Sequence, residues 1–494
     1  MRVLMVYPEF PDTFWSFKHA LPFIRKKASL PPLGLLTVAA MLPPAWEKRL
    51  VDMNAATLTR QDLEWADCVF VSAMVAQRDS THEVIRRCKE AGVTIVAGGP
   101  LFMGEHAQFP DVDHFVLNEA EITLPLFLAD LEKGESQRLY ETTEFPDIKN
   151  TPAPMWELLN LRHYSDMCIQ YSRGCPFNCD FCNITAMLGR RPRTKSAPQL
   201  IAELDSLYKA GWRGNVFFVD DNLIGNRREL AHDILPAIIE WRQGKEGLAF
   251  GTEVSIDLAD DPDLMRLMVE AGFDTVFVGI ETPDEQSLTE CNKSQNKGRD
   301  LVESVKTLQH AGLQVQGGFI VGFDSDKPSI FQRQIEFIQR SGIVMAMVGL
   351  LQAPFGTRLY DRMEKEGRLL TDFSGNNTDG TMNFQPKMDP NVLQEGYRHI
   401  LATIYSPQVY YQRVRNFLNE YKKPNVTRQA INWIHLEAFF RSIVVLGIRG
   451  KERLEYWRLF FWTLLHRPRL FPQAITLAIY GFHFRQVSEH TCAD

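Results

Sequence analysis

Three cysteines in the segment 173–182 have the side-chain type and the spacing needed to hold a metal centre. The segment reads Arg-Gly-Cys-Pro-Phe-Asn-Cys-Asp-Phe-Cys, which places Cys175, Cys179 and Cys182 at the spacing C-x3-C-x2-C. Thiolates are soft ligands that suit the iron of iron–sulfur clusters. Because a [4Fe–4S] cluster has four irons, three cysteines leave one iron open to an external ligand and to chemistry.

Other uses of the three thiols are a structural zinc site or a redox dithiol. A zinc site would normally need a fourth Cys or His at matching spacing. Cys168 lies seven residues before Cys175, and the predicted strand between them would place it too far away to complete such a site. A disulfide is disfavoured because residues 1–6 are predicted to form a buried strand and not a secretory signal. The remaining cysteines are scattered singly and are expected to pack as small apolar groups: Cys68, Cys88, Cys291 and Cys492.

Length and charge favour a multidomain enzyme over a nucleic-acid-binding protein. A chain of 494 residues exceeds one ordinary hydrophobic core, so about two to four domains are expected. The formal net charge of −7 argues against a general nucleic-acid-binding surface. No uninterrupted apolar run reaches the length that a membrane span needs.

Residues 1–145 alternate short apolar segments with helical patterns. Five segments are predicted as strands: Val3–Tyr7, Arg49–Asp52, Cys68–Ser72, Thr94–Ala97 and His114–Leu117. Strands that are apolar on both faces and separated by helices predict an α/β domain with a doubly wound parallel sheet. Ligands of such sheets bind at the carboxyl ends of the strands. Ser72, Gly98 and Gly99 fall there, and paired glycines either admit a large flat ligand or make a tight turn.

Residues 146–164 contain Pro146, Pro152 and Pro154, which predict an extended linker. Residues 165–365 then read as six strand–helix units, which predict a partial (βα)6 barrel with its chemistry at the carboxyl ends of the strands. The predicted strands are Cys168–Ser172, Asn215–Val219, Leu248–Glu253, Thr275–Ile280, Gln314–Val321 and Val344–Leu351. The cysteine segment follows the first of these strands.

Polar residues stand at the ends of the later barrel strands. They are Asp220, Asp221 and Asn222 after the second strand, Glu253 and Ser255 after the third, and Glu281 after the fourth. Burying a carboxylate at the end of an apolar strand is unfavourable without a donor, so a ligand or a partner is expected. An ordinary salt bridge is the alternative for each carboxylate. Glu253 is the strongest candidate for ligand binding.

Residues 366–494 are predicted to be mainly helical, and they interleave aromatic residues with arginines. Such a composition could form an interfacial surface that meets membranes or amphiphilic lipids. We favour the alternative of a helical cap whose aromatic residues pack on the barrel and whose arginines face water. Pro468 and Pro472 are predicted to break the last part into short helices.

The cysteine segment resembles the signature of the radical S-adenosylmethionine (SAM) enzymes, in which the amino and carboxylate groups of SAM chelate the open iron. The resemblance implies that Cys175, Cys179 and Cys182 hold a [4Fe–4S] cluster, which cleaves SAM to a 5′-deoxyadenosyl radical. It also implies that the polar residues at the strand ends hydrogen-bond SAM. The backbone of Phe181 and the strand around Gly318–Gly322, including Val321, would contact the adenine.

Residues 1–145 resemble the cobalamin-binding domain that precedes the radical SAM barrel in one large subfamily. The resemblance lies in Tyr7-Pro8, Pro31–Leu35, Val51-Asp52, Val71-Ser72 and Gly98–Pro100. The motif Asp-x-His-x-x-Gly, whose histidine ligates cobalt in many corrinoid proteins, is absent, and the usual turn Gly-Glu-Gly-Glu reads Asn118-Glu119-Ala120-Glu121. The resemblance implies a cobalamin without a histidine ligand, bound against Ser72, Gly98 and Gly99. A vestigial domain without corrinoid is the alternative.

Residues 366–494 resemble the C-terminal extension of a group that includes the hopanoid C-2 methylases. Together the resemblances imply a cobalamin-dependent radical SAM C-methyltransferase that acts on an unactivated carbon of a lipid-like or other small substrate. The alternatives are cyclisation or rearrangement without methyl transfer, and a non-catalytic corrinoid or iron–sulfur carrier. The expected partners are the substrate and a reductant such as flavodoxin or ferredoxin, with no nucleic acid. The expected location is the cytoplasm, with peripheral contact to the inner face of the membrane as a further possibility.

Overall fold

The computed structural model describes residues 1–424 and 433–493 and contains two parallel sheets of six strands each. The strands of the first sheet are β1 (Arg2–Tyr7), β2 (Glu47–Asp52), β3 (Cys68–Ser72), β4 (Thr94–Gly98), β5 (His114–Val116) and β6 (Leu139–Tyr140). Their order is β2-β1-β3-β4-β5-β6, so the switch point of the sheet lies between β1 and β3. The predicted doubly wound α/β sheet is confirmed. The two-residue strand β6 was not predicted, because so short a segment carries no periodic signal.

Helices cover both faces of the first sheet. They are α1 (Leu33–Met41), α2 (Arg60–Trp65), α3 (Arg78–Ala91), α4 (Pro100–Glu105) and α5 (Ala120–Lys133). The strands are buried on both faces, and they contribute to two separate apolar clusters, one on each side of the sheet. This is the reason that β1 and β3 read as continuous apolar runs in the sequence.

The second sheet is the predicted partial barrel. Its strands are β7 (Met167–Ile169), β10 (Asn215–Phe218), β11 (Ala249–Glu253), β12 (Phe273–Glu281), β13 (Gln314–Val321) and β14 (Ala346–Leu350), and a separate antiparallel pair is formed by β8 (Ser172–Arg173) and β9 (Arg193–Thr194). The predicted strand Cys168–Ser172 is therefore wrong at its end. The Asp220 carboxylate accepts hydrogen bonds from the backbone N–H groups of Tyr171 and Ser172, which leave the β7 ladder.

The barrel helices follow the predicted order, with one irregularity. They are α6 (Ile184–Leu188), α7 (Ala197–Lys209), α8 (Arg227–Glu229), α9 (Leu235–Arg242), α10 (Pro262–Ala271), α11 (Glu285–Glu290), α12 (Leu301–Ala311), α13 (Ser329–Ser341) and α14 (Arg358–Lys365). A π-helical turn, Leu230–Ile234, separates α8 from α9. Pro236 in the first turn of α9 has no N–H to donate, and the wider turn before it accommodates that loss.

The C-terminal region is helical, as predicted. Its helices are α15 (Pro390–Ile404), α16 (Pro407–Glu420), α17 (Trp433–Ser442), α18 (Arg453–His466) and α19 (Phe471–Ala493), and a π-helical segment, Ile443–Arg449, continues α17. The predicted break is present at Pro468, where a 3-10 turn, Pro468–Leu470, separates α18 from α19. The prediction that Pro472 also breaks the chain into short helices is wrong, because Pro472 lies in the first turn of the 23-residue α19, where a proline is tolerated. Within the described ranges, no helix combines the length and the apolar character needed to cross a bilayer.

Residues 14–25, between β1 and α1, lie between α19 and the barrel. Phe14 stacks on Phe484 of α19 with ring centroids 4.2 Å apart, and Nε2 of the buried His483 donates to the Phe14 carbonyl oxygen at 3.0 Å. The next residue, Trp15, donates from Nε1 to Sδ of Met347 on β14 at 3.0 Å. One short segment thus connects the last helix of the chain to the barrel.

Candidate active site

The cysteine loop is fixed by backbone contacts. Gly174 has φ of +94°, and a Cβ there would lie 2.8 Å from the Gly189 carbonyl oxygen, so a glycine is needed at this turn. The N–H of Cys175 donates to that same oxygen at 3.3 Å, and the N–H of Cys182 donates to the carbonyl oxygen of Cys179 at 3.2 Å. The loop therefore has a defined conformation after β8.

The three thiols fit the ligand set of an iron–sulfur cluster. All three are free and partly buried. Burial raises the pKa of each thiol, that of Cys182 to about 12, so binding of a metal must displace protons from them. In the described part of the chain, no three Cys, His, Asp or Glu side chains are arranged to hold a single metal ion. Three thiols from one loop are the donors that a four-iron cluster with one open iron requires.

Two buried carboxyl groups lie at the ends of neighbouring strands, close enough for the charge of one to act on the other. Glu253 ends β11, and Asp221 follows β10. Burial, and then the charge of Asp221, raise the pKa of Glu253 to about 8. Burial, and then the charge of Asp220, raise the pKa of Asp221 to about 7. Oδ2 of Asp221 is buried without a partner. A polar ligand at the mouth of the barrel would provide hydrogen-bond donors for these buried carboxyl groups.

The structure also brings Asn222 and Ser255 together beside these acids. The N–H of Ser255 donates to Oδ1 of Asn222 at 3.1 Å, and Nδ2 of Asn222 lies 3.3 Å from the Ser255 hydroxyl. Asn222 and Ser255 therefore lie together, although they follow two different strands, because β10 and β11 are neighbours in the sheet.

Three of the predicted SAM-contacting residues are engaged elsewhere in the protein. Asp220 is 1% exposed and accepts from two backbone N–H groups and from the Ser172 hydroxyl at 2.6 Å. Glu281, which has φ of +64°, is paired with Lys293. Val321 is fully buried, and its carbonyl oxygen accepts from the N–H of Leu351 at 2.9 Å. Asp220 holds the segment that precedes the cysteines, so its side chain is not free for a ligand.

Lys293 is a charged residue of the site that the sequence patterns did not indicate. Its Nζ donates to Oε1 of Glu281 at 2.7 Å and lies 6.0 Å from the ring centroid of Phe181. Burial alone would lower the pKa of Lys293, but Glu281 and Cys179 outweigh burial and raise it. A protonated ammonium group therefore stands beside the cysteine loop. Gln295, two residues further on, points Nε2 at Sγ of Cys179 from 3.9 Å.

The edge of the first sheet between β3 and β4 is built from small residues. Ser72 is in register with Gly98. A Cβ at Gly98 would lie 2.6 Å from the Val116 carbonyl oxygen, and one at Gly99 would lie 2.6 Å from Oγ of Ser72. The glycines are thus required by the close packing of the strand ends. Because they have no side chains, this edge is low, which means that no large side chain rises above it. The exposed side chain of Met74 follows it. Such an edge fits a large flat ligand.

The histidines of the first region make their contacts away from this edge. His82 stacks on Phe109 with centroids 4.5 Å apart, and His106 packs edge-on against Phe115. His114 donates from Nδ1 to the Gln137 carbonyl oxygen at 2.6 Å, and His19 packs near His483. None of these contacts involves Ser72, Gly98 or Gly99.

A buried network of ion pairs connects the two sheets. Arg173, which immediately precedes the cysteine loop, pairs with Glu119 at 2.6 Å and with Glu121 at 2.8 Å. Arg193 on β9 pairs with Glu119 at 2.6 Å. The two glutamates are those of the turn Asn118–Glu121, and each of the four side chains is at most 16% exposed. The network therefore joins the turn that follows β5 at the carboxyl end of the first sheet to the β8–β9 pair, which follows the carboxyl end of β7.

A loop of the C-terminal region, 372–378, contacts both carboxyl edges. Nη2 of Arg78 in the first domain donates to the Phe373 carbonyl oxygen at 2.7 Å. Nε2 of Gln352, which follows β14, donates to the Ser374 hydroxyl at 3.1 Å. The loop therefore closes one side of the space between the sheets.

Comparison with known proteins agrees with this arrangement. Residues 24–128 match the B12 binding domain, residues 169–338 match the Radical SAM superfamily, and residues 357–494 match a domain of unknown function, DUF4070. An uncharacterized methyltransferase of Synechocystis sp., sll1242, is 41% identical over 99% of this chain and 92% of its own length. The hopanoid C-2 methylase of Rhodopseudomonas palustris is 35% identical over 92% of this chain and 88% of its own length.

Solved structures show the same fold. OxsB, a cobalamin-dependent SAM radical enzyme, is 15% identical with a TM-score of 0.64, covering all of this chain and 80% of its own. TsrM of Kitasatospora setae, a radical SAM methyltransferase, is 14% identical with a TM-score of 0.58, covering 80% of this chain and 85% of its own.

Fold and site define a radical SAM enzyme with a cobalamin-binding domain. More narrowly, the chain belongs to the cobalamin-dependent radical SAM methyltransferase family. Membership implies a [4Fe–4S] cluster, SAM and cobalamin, as the sequence resemblance predicted. It also confirms that the chain is an enzyme, which removes the alternative of a non-catalytic carrier.

Replacing Glu119 with Gln is expected to destabilise the protein and to loosen the cysteine loop. The variant leaves Arg173 and Arg193 buried with an incomplete set of partners, a change that removes about 3–5 kcal/mol from the free energy of unfolding. Thermal unfolding and the iron content after anaerobic reconstitution measure the two effects. The control is Glu83→Gln, which breaks an exposed pair with Arg86. Equal iron content and melting temperature in both variants would contradict the role of the network.

Replacing Glu253 with Gln is expected to stabilise the cofactor-free protein, and the gain should depend on pH. The pKa of this carboxyl is about 8 in the folded protein against an ordinary 4.5, so folding takes up a proton between these values. The contribution of the wild-type carboxyl to stability is therefore complete below pH 4.5, declines as the pH rises and is lost above about pH 8.

The difference in melting temperature between Glu253→Gln and wild type should consequently be small near pH 5, grow towards pH 8 and then level off. The exposed Glu132 on α5 provides the control, since Glu132→Gln should follow wild type throughout. A difference that does not change with pH would show that Glu253 ionises normally in the folded protein.

Proposed function

We propose that this chain transfers a methyl group to an unactivated carbon of a lipid-like small molecule. The observation that carries the proposal is the opposition of two edges, with three cysteine thiols on one and the small residues of β3 and β4 on the other, joined by the Arg173–Glu119 pair. When bound, the cluster and SAM supply a 5′-deoxyadenosyl radical, and cobalamin carries the methyl group. The protein positions these groups and excludes water.

In this proposal Cys175, Cys179 and Cys182 hold the cluster. Glu253 and Asp221 would accept hydrogen bonds from polar groups of SAM, since burial and a neighbouring carboxylate raise the pKa of each and Oδ2 of Asp221 has no partner within the protein. Asn222 and Ser255 complete that polar edge. Phe181 would place its backbone against the adenine.

Other residues of the site would act through their neighbours. Asp220 positions the segment before the cysteine loop. Glu281 keeps the Lys293 ammonium beside Cys179 and Phe181, where a positive charge stabilises thiolates. The buried Val321 would shape the strand that flanks the adenine through its backbone.

We propose that cobalamin lies on Ser72, Gly98 and Gly99 with no histidine beneath the cobalt. The low edge of small residues supports this placement. The contacts of His19, His82, His106 and His114 with other parts of the protein support the absence of a histidine ligand.

A lipid-like substrate is supported by the apolar lining of the barrel beside Glu253. Register pairs Glu253 with Phe277 of β12, so the two side chains share the inner face of the sheet. Trp15 packs edge-on against Phe277 with centroids 5.6 Å apart and donates to Met347. The similarity to a hopanoid C-2 methylase points in the same direction.

We also propose the wider setting of the reaction. A one-electron donor such as flavodoxin or ferredoxin would reduce the cluster, and the cytoplasm would provide the reducing conditions.

Peripheral contact with the inner face of the membrane would give access to a lipid-like substrate. The functional units would be residues 1–145, the linker 146–164, the barrel 165–365 and the extension 366–494.

Cys179→Ala is expected to abolish formation of 5′-deoxyadenosine and transfer of methyl label from SAM. The chain is purified anaerobically with iron and cobalamin supplied, and is then assayed with reductant and a hopanoid or related polycyclic lipid. Cys88→Ala, which changes a buried cysteine of α3 in the first domain, is the control and should retain both activities. Formation of 5′-deoxyadenosine with an unmethylated product of altered skeleton would favour rearrangement over methyl transfer.

Reduction of the bound cobalamin to Co(II) is expected to give an electron paramagnetic resonance spectrum without splitting from a histidine nitrogen. The reason is that His19, His82, His106 and His114 make their contacts in the described structure away from the β3–β4 edge. Single replacements of His19, His82, His106 and His114 by Ala should leave the spectrum unchanged. Nitrogen splitting that one of them removes would identify that residue as the ligand, and failure of the wild-type chain to bind cobalamin would indicate a vestigial domain.

A further inference from the structure

An exposed apolar surface lies on the helical hairpin formed by residues 433–466. Ten large apolar side chains there are exposed: Trp433, Ile434, Leu436, Phe440, Val444, Ile448, Leu454, Phe461, Leu464 and Leu465. Trp433 is 78% and Leu465 is 79% exposed. The rest of the described chain, more than 400 residues, contributes only seven such side chains. Apolar exposure so concentrated marks an interaction surface.

The exposed residues form the outer face of an ordered element. The hairpin consists of α17 with its π-helical continuation, followed by α18, and its inner face is packed. Phe439 stacks near Phe460 with centroids 6.2 Å apart, and the hydroxyls of Ser442 and Tyr456 are 2.8 Å apart. The exposed positions 433, 440, 444 and 448, and 454, 461 and 465, recur at spacings of four and seven, which is the spacing of one helical face.

The margin of this apolar face is basic, although the whole chain carries a net charge of −7. Residues 433–469 contain seven Lys and Arg residues and three glutamates. The glutamates are all in ion pairs: Glu437 with Arg25 and Arg441, Glu452 with Arg485, and Glu455 with Arg458. Arg449, Arg453 and Arg469, by contrast, have no carboxylate partner among the described residues.

Cations around an exposed apolar face fit a membrane surface that contains anionic lipids. The apolar side chains would enter the boundary between headgroups and acyl chains, and the arginines would meet the phosphates. A second copy of this chain fits less well, because two basic margins would face each other.

We propose that the hairpin 433–466 docks flat on a bilayer containing anionic phospholipids. The hairpin is joined to the active site through residues 14–25, since Arg25 pairs with Glu437 at 2.5 Å and Arg441 donates to the Pro22 carbonyl oxygen. Trp15, in the same segment, lines the barrel beside Phe277. Docking would bring the barrel to the surface in which a lipid-like substrate is dissolved. That consequence rests on the proposed function, whereas the docking itself does not.

Flotation of the full chain with vesicles tests the proposal. Wild type should float with vesicles of phosphatidylcholine and phosphatidylglycerol, and less with phosphatidylcholine alone. The double variant Phe461→Ser, Leu465→Ser should bind about tenfold or more weakly, because it removes two inserted side chains. The matched control is Leu126→Ser, Leu370→Ser, which changes side chains 54% and 60% exposed outside the hairpin and should bind as wild type does.

A charge variant separates the two contributions. Arg449→Glu, Arg453→Glu should bind the anionic vesicles no more strongly than it binds phosphatidylcholine alone, and high salt should remove the preference of wild type for anionic vesicles in the same way. The melting temperature and iron content of each variant check that it is folded. Neither readout of binding requires turnover, so failure of methyl transfer and failure of docking are distinguishable.

Three results would overturn the proposal. The first is that wild type floats with neither kind of vesicle. The second is that the Phe461, Leu465 variant binds as tightly as its control. The third is a wild-type dimer in gel filtration that the same variant dissociates, without vesicle binding, which would assign the surface to a second copy of this chain.

Discussion

The buried ion pairs of Glu119 and Glu121 with Arg173 and Arg193 are the constraint on which the geometry of this enzyme depends. Charges removed from water are tolerated only when each has its partners in place, so the network permits one relative position of the turn 118–121 and the cysteine loop. The turn follows β5 of the first sheet and Arg173 directly precedes Gly174 and Cys175. The separation between the edge that would carry cobalamin and the loop that would carry the cluster is thereby set by electrostatics.

Within the barrel mouth, charge is arranged by sign. Lys293 and its partner Glu281 lie on the side of Cys179, while Asp221 and Glu253 lie on the neighbouring strand ends with raised pKa values. The acids remain partly protonated near neutral pH because burial, and then the charge of Asp220 on Asp221 and of Asp221 on Glu253, oppose their ionisation. A site with one permanent cation and two readily titrated acids can accept a ligand that itself carries both charges, as an amino acid moiety does.

The sequence was sufficient to predict the features that depend on residue type and on the periodicity of apolar residues. The cysteine spacing, the strands of both sheets apart from β6 and the end of β7, and the polar strand ends at Asn222, Glu253 and Ser255 follow from residue chemistry and hydrophobic pattern. Lys293 and Arg193 were missed because they lie in a loop and on a two-residue strand, where no period exists. The partner of Arg193, Glu119, also lies 74 positions away in the chain. Asp220 was expected at the ligand, but the backbone N–H groups of Tyr171 and Ser172 occupy it.

The C-terminal helices show a different limit of the sequence. Their aromatic residues were expected to pack on the barrel, and Phe439 and Phe460 do pack within the hairpin, whereas Phe440, Phe461 and Trp433 face outwards. Helical period identifies an apolar face, yet it does not tell whether that face meets the protein or its surroundings.

The contact between Phe14 and α19 has a consequence for biosynthesis. Phe14 and His483 are separated by 469 positions in the chain, and the segment that carries Trp15 into the barrel is covered only when the last helix arrives. Domains usually fold in order as they leave the ribosome. Here the segment that lines the barrel stays uncovered until α19 has been synthesised, so this part of the barrel is completed long after the barrel strands themselves have left the ribosome.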